Sequence, residues 1–392
     1  MPTRYDVVVV GARAAGAATA YLLARSGLRV LVVDRARYGT DTLSTHALMR
    51  AGVLQLSRWG LLDKVIAAGT PPVRGVTFRY GDSVVPVAIK PAYGVNALYA
   101  PRRTVLDPIL VDAAIAAGAE VRFGVTVVDV RRDRDGAVTG VVGRTRSGLP
   151  FRADARIVVG ADGIRSTVAE RVGAPVELVG RSGAAATYGY WSGLETDGYE
   201  WNFYPGAASG VIPTNDGQAC VFVSAPPAVV GRGGLGTLTG LIGASAPDLA
   251  ARLADALPPR SLRTFTGRPG YLRRSWGPGW ALVGDAGYFK DPISAHGLSD
   301  ALRDAELLAR AIVAVVTDGA DERAMLGAYQ ATRDGLSTEL FDVVDVIASH
   351  RWTEQQIGGL LLRLSAAMNE EVETLARFGQ PFQEEVSSHA GR

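Results

Sequence analysis

A single cysteine, Cys220, in a chain of 392 residues excludes an internal disulfide framework and any Cys-x-x-Cys metal or redox centre. Histidine is almost as scarce. The four, at positions 46, 296, 350 and 389, show no metal-ligand spacing, so no metal is expected. Neither sign of charge dominates: 41 basic against 39 acidic residues leave a formal charge of +2. With no long like-charge run, that balance removes the electrostatic case for nucleic acid or an anionic membrane surface. Long hydrophobic runs are missing too. Charges such as Arg13, Arg25 and Arg310 break the apolar stretches short of the ~18 uncharged residues a spanning helix needs, so no stable membrane insertion is expected. The first strand pattern begins at about residue 5, which leaves no room for a signal or transit peptide and predicts a reducing, cytoplasmic setting.

What is present is concentrated in the first forty residues. Tyr5-Asp6-Val7-Val8-Val9-Val10 runs into Gly11-Ala12-Arg13-Ala14-Ala15-Gly16, then an Ala/Leu-rich helix, then Leu28-Arg29-Val30-Leu31-Val32-Val33-Asp34-Arg35. That order is strand, glycine turn, helix and second strand ending in an acid, the βαβ unit that holds an adenine dinucleotide. Gly11 permits the sharp turn, and the small residues Ala14, Ala15 and Gly16 let the helix backbone approach a pyrophosphate. Asp34 is placed to accept hydrogen bonds from ribose hydroxyls. Arg13 stands where the middle glycine of G-x-G-x-x-G is usual.

Further along, residues 42 to 68 carry helical spacing, and 73 to 98 read as short alternating strands. A helix is predicted over 103 to 117, and then a strand at 120 to 123 with a β-meander through 125 to 152. Residues 154 to 163 form a buried strand ending in a tight turn. From about 181 to 268 the texture is aromatic-rich strands, with a Pro/Gly-rich stretch at 225 to 236 and a helix near 247 to 256. A buried strand at 280 to 285 feeds a long helix from about 297 to 317, and the last sixty residues are mostly helical, ending in a frayed polar tail.

Three separated segments belong together: Gly11 to Gly16 with Asp34; Gly160-Ala161-Asp162-Gly163; and Gly284-Asp285-Ala286 running through Pro292-Ile293-Ser294-Ala295-His296-Gly297. In this order and spacing the set resembles the FAD-dependent aromatic hydroxylases of the p-hydroxybenzoate hydroxylase type, in the superfamily that also holds geranylgeranyl reductases and flavin-dependent halogenases. The resemblance covers roughly residues 1 to 330. It implies an α/β (mixed α+β) fold: a Rossmann-like FAD-binding domain of the glutathione-reductase type (1–72, 99–180 and 269–334), an inserted β-sheet substrate domain (73–98 and 181–268) and a C-terminal helical segment (335–392). It also implies that Asp285 binds the ribitol of FAD and that Pro292 through Leu298, including Ala295 and His296, line the isoalloxazine. The N–H groups of Gly297 and Leu298 would lie near its N1/O2 edge, and Arg103 would reach the pyrophosphate. Arg35, Thr45 and Val127 complete the implied cofactor contacts, while Asp162 and Gly163 would serve FAD and NAD(P)H. The hydroxylases usually carry Gly-Gln-Gly where this chain has Ala295-His296-Gly297, which makes His296 a candidate for proton handling. His46 is the second.

The resemblance further implies that NAD(P)H reduces FAD, that O₂ adds to form a flavin C4a-hydroperoxide, and that one oxygen passes to an aromatic, polyketide or isoprenoid-like small molecule. Tyr188, Tyr190, Trp201, Phe203 and Tyr204 are candidate pocket walls, of which strand alternation lets only about half face one side. Tyr199-Glu200-Trp201-Asn202-Phe203-Tyr204-Pro205 is similar to the Tyr-x-Trp-x-Phe-Pro motif of geranylgeranyl reductases with one residue inserted, which keeps reduction of a prenyl or polyene substrate open. The halogenase Trp-x-Trp-x-Ile-Pro signature is absent. A non-catalytic binding protein on this fold would have lost the flavin pocket, yet Asp34, Arg103 and Asp285 are all present. A monomer or a homodimer fits equally, since the helices after 335 could pack on a second copy.

Overall fold

The computed structural model describes residues 4–379; the expected frayed tail lies outside them. Five parallel strands form the centre of the larger sheet, in the order Trp280–Leu282, Pro150–Gly160, Arg4–Val10, Val30–Asp34, Glu120–Phe123. All five residues of Val30–Asp34 are buried, as are Val7 to Val10, because helices and meander cover both sheet faces and the runs must be apolar throughout. The strand Pro150–Gly160 is long enough to do two jobs. Its second half pairs with Arg4–Val10, and its first half turns into the antiparallel meander of Val125–Arg132 and Val138–Thr145.

A second sheet of seven strands takes the order Arg263–Phe265, Ala185–Ser192, Gln218–Ala225, Ala207–Pro213, Tyr199–Tyr204, Gly75–Tyr80, Ser83–Ala88. The segments 73–98 and 181–268 thus meet in one sheet, joined where Tyr199–Tyr204 runs parallel to Gly75–Tyr80. One face carries Trp191, Val211, Val221 and Val223 and is closed by the helices Leu235–Ser245 and Pro247–Asp255. The other carries Tyr188, Tyr199, Trp201, Phe203 and Phe222. Against that second face pack Val343 and Ile347 of the helix Glu322–Ala348 and Ile357 and Leu360 of the C-terminal helix Glu354–Arg377.

Two differences from the sequence reading have plain causes. Residues 42–49 are not helical; His46 has φ +50°, and the helix begins only at Arg50, because this stretch must pass from the first module to the second sheet. Leu235–Ser245 is a helix although its flank is rich in glycine and proline, since Leu238 and Ile242 bury themselves on the sheet and tertiary packing outweighs weak propensity. Glu322–Ala348 runs unbroken through residue 335, so the last piece of the first module and the C-terminal segment share one helix. No helix among the described residues is long and apolar enough to cross a membrane.

Candidate functional site

The parallel strands end in register. Val10 lies beside Val33 and Gly160, and Gly160 beside Leu282. The turns that follow therefore converge at the carboxyl edge of the sheet, where open α/β sheets bind ligands. Gly11 has φ +109°, and a Cβ there would come 2.4 Å from the carbonyl oxygen of Ala161. A Cβ on Gly16 would come 1.9 Å from the carbonyl oxygen of Gly11. Ala15 in turn lies against Gly284, which closes the triangle of segments. The helix Ala14–Arg25 starts here with no side-chain cap, so its first N–H groups and the positive end of its dipole stay available to an anion.

Asp34 is buried and accepts from the backbone N–H of Ala12 (2.7 Å) and Ala36 (2.7 Å), which fixes its carboxylate at the glycine turn. Each oxygen keeps a lone pair for a hydroxyl. Arg35 points to solvent, Thr45 is half-buried and Val127 belongs to the core beneath the meander. Arg13 does not obstruct the turn. Its guanidinium folds onto the Thr40 carbonyl oxygen and Asp107 (3.0 Å), and Asp107 is also held by Arg103 (2.8 Å) at the start of the helix Arg103–Ala116. One carboxylate thus bridges two arginines. The Asp162 carboxylate accepts from Ser166 Oγ (2.5 Å) and from the N–H groups of Thr167 and Val168, which commits it to the start of Thr167–Val172; Gly163, with φ +78°, completes the turn.

Asp285, Pro292 and Gly297 are exposed within a stretch otherwise mostly buried, the mark of residues lining a recess. The protein surrounding Asp285 limits its solvation and pushes its carboxyl up to about 6, against the pull of Lys290 and Arg103. Tyr271 donates to the Asp285 carbonyl oxygen (2.5 Å) and holds the turn in place. Ala295 takes φ +51°, a costly conformation for a residue with a Cβ, and launches the 20-residue helix Gly297–Val316. That helix also starts without a side-chain cap, with Leu298 buried behind the open Gly297.

Where this loop meets the seven-stranded sheet, Ala47, Ile293 and Ala295 pack with Tyr188, Tyr190, Trp201 and Phe203. His46 Nε2 lies 2.8 Å from the Tyr190 hydroxyl, the two rings stack, and the Arg102 guanidinium lies over the Tyr190 ring, 3.6 Å from its centre. Burial pushes the His46 imidazole down to about 3, with Arg102 and Arg103 adding to the effect, so the ring is neutral at physiological pH. Tyr188 accepts from the Ser44 N–H (2.9 Å), and burial pushes its phenol up to about 12. Asp41 pairs with Arg263 (3.0 Å) and Arg102 (3.7 Å) alongside. Tyr204 points to the opposite side of its strand from Phe203 and is exposed, apart from this group.

His296 is fully buried, its Nε2 2.5 Å from Glu371 Oε2 on the C-terminal helix. Asp300 stands near enough for His296, Asp300 and Glu371 to suit a metal ion, but Arg303 and Lys290 already supply cations to the two carboxylates. Arg102, Asp41 and Glu371 are the residues sequence reading missed. Arg102 adjoins the arginine that was picked out; nothing near Glu371 in sequence marks it.

Residues 4–343 match a family model described as an FAD binding domain. The digeranylgeranylglycerophospholipid reductase of Methanocella arvoryzae is 28% identical over 354 residues, covering 87% of this chain and 86% of that protein. The rifampicin monooxygenase of Streptomyces venezuelae is 27% identical over 349 residues, covering 86% of this chain and 70% of its own. Among solved structures, the flavin-dependent brominase Bmp2 superposes with a TM-score of 0.80 at 22% identity, covering 97% of this chain and 96% of the brominase, a likeness of fold.

Proposed function

Because the chain belongs to the FAD binding domain family, an enzyme family of oxidoreductases, we propose that it is a monooxygenase, fed by NAD(P)H, that places one atom of O₂ on a flat aromatic or polyketide-like small molecule. The observation that carries this reading is the Tyr188–Tyr190–His46–Arg102 group at the junction of loop and sheet: two phenols, a neutral imidazole and a guanidinium around ring faces. Such a wall stacks on and hydrogen-bonds to an aromatic substrate. FAD, when bound, supplies the electron transfer and oxygen activation.

The protein's part is binding and placement. The open start of Ala14–Arg25 and the Arg103 guanidinium suit a diphosphate, Asp34 a ribose and Asp285 a ribitol hydroxyl. Pro292, Ala295 and the N–H groups of Gly297 and Leu298 would face the ring system, where a helix N-terminus favours the negative charge of the reduced form. The Tyr190 hydroxyl and His46 Nε2 exchange a hydrogen bond without either being charged, so they can orient a substrate hydroxyl without drawing bulk water into the site. Replacing Asp285 with alanine is expected to lower the flavin content of the purified protein at least severalfold. Undiminished flavin absorbance per polypeptide would move the cofactor elsewhere.

A second reading, saturation of a prenyl or polyene double bond, is favoured by Tyr199, Trp201 and Phe203 sharing one apolar face. Against it, that face is filled by Trp352, Ile357 and Leu360. The deciding experiment supplies NAD(P)H and isotope-labelled O₂ with a panel of phenols and polyketides, and separately prenyl lipids without oxygen. Label in the product is the expected result. Oxygen-independent saturation of a prenyl chain instead would establish the reductase.

A further inference from the structure

We infer that the buried His296–Glu371 pair, which ties the C-terminal helix to the residue before Gly297, keeps a positive charge beside the cofactor's reactive end and so sets how easily the bound flavin is reduced. The inference rests on the cofactor placement proposed above, not on the choice between oxygenation and reduction.

The pair belongs to a buried network drawn from four elements. Glu371 Oε1 accepts from Arg303 Nη1 (3.1 Å), while Arg303 also bonds Asp304 (2.7 Å) and the Ser337 hydroxyl (2.9 Å) and pairs with Asp300 (3.2 Å). Lys290 makes a direct ion pair with Asp300 and lies 5.0 Å from the centre of the Tyr288 ring, whose phenol burial keeps protonated. All of these side chains are buried, and Asp285 feels Lys290 from the adjoining turn.

Charge balance places the proton. Three carboxylates, Asp300, Asp304 and Glu371, face Arg303 and Lys290, and burial pulls the Lys290 ammonium down to about 7, so the group is short of positive charge and a protonated His296 brings it closer to neutral; an uncompensated buried charge is costly. Burial works against the imidazolium and pulls the ring's proton affinity down, with Lys290 and Arg303 adding to that, while Glu371 opposes it. Burial would raise Glu371 as well, but His296 and Arg303 outweigh it and hold that carboxyl at about 2. Glu371 is therefore ionised and accepts from His296. An imidazolium at this position also opposes the dipole of Gly297–Val316, which is why it needs a carboxylate from another helix. In this arrangement His296 is a positioning residue that acts through its charge and through its carbonyl oxygen, which accepts the Asp300 N–H of the first helical turn at 3.0 Å.

The test measures the equilibrium ratio of reduced to oxidised flavin in the holoprotein against a reference dye at neutral pH. His296→Gln removes the cation and leaves Glu371 ionised, so it is expected to lower that ratio by about tenfold, while Glu371→Gln removes a negative charge and is expected not to lower it. A ratio that stays level or rises in His296→Gln, or that falls about tenfold in Glu371→Gln, overturns the proposal. If neither variant folds, nitrogen-isotope-labelled histidine NMR of the wild-type protein decides it: a doubly protonated ring persisting at mildly alkaline pH is expected, and its absence overturns the proposal. Failure to oxygenate any substrate leaves these measurements untouched, so the two readings fail separately.

Discussion

Gly16→Ala is expected to give a protein that purifies with almost no flavin and unfolds at markedly lower denaturant concentration. The added Cβ would sit 1.9 Å from the Gly11 carbonyl oxygen and 3.0 Å from the Ala161 Cβ. The first is backbone and the second a side chain with no rotamers, so neither can step aside. The helix must lift off the strand, at a cost of about 1–3 kcal/mol or more for overpacking. The same lift moves the uncapped N–H groups away from the diphosphate position, so binding suffers beyond stability. Gly236→Ala is the matched control: its Cβ meets open space inside Leu235–Ser245, and it should stabilise by about 0.4–1 kcal/mol with flavin content unchanged. Equal flavin occupancy in the two variants would contradict the placement of the diphosphate at this turn.

Arg303→Met should be the most destabilising single change in the core, by about 3–5 kcal/mol. The side chain is fully buried, and removing it leaves Asp304, Glu371 and Asp300 with Lys290 and His296 as the remaining basic groups of the network. Methionine fills most of the volume, so the loss reports charge and hydrogen bonds and not a cavity. Lysine restores the charge without the planar fork that reaches Asp304, Glu371 and Ser337 together, and it should recover only part of the loss. Denaturant midpoints of the three proteins provide the check. A methionine variant within about 0.5 kcal/mol of wild type would mean that the network's carboxylates are already protonated.

The two variants probe different kinds of information. Gly16 was legible because a tight strand-to-helix turn imposes a local steric demand, and the spacing from Gly11 to Asp34 records the whole βαβ unit. The same holds for Asp285 and Gly297, which follow a buried strand and open a long helix. Their positions at the edge of the sheet follow once parallel strands are laid in register.

Alternation along Tyr199–Tyr204 established that Phe203 and Tyr204 point oppositely, since the side-chain period in a strand is two. Which of them faces the junction was decided by the helices that cover the sheet: Trp352 and Ile357 took the face of Trp201 and Phe203, and Tyr204 was left exposed. The partners of charged side chains were equally out of reach. His296 was picked out for its place before Gly297, but Glu371 lies 75 residues away in sequence, and Arg102 meets Tyr190 only when the two modules close. The sequence by itself determined the cofactor turn, the strand ends and the start of the long helix, because those depend on steric and hydrogen-bonding demands within a few residues. Tertiary structure alone decided which imidazole is neutral beside a phenol and which is locked to a carboxylate, because burial and long-range charge set proton affinity, and both arise only when distant segments pack.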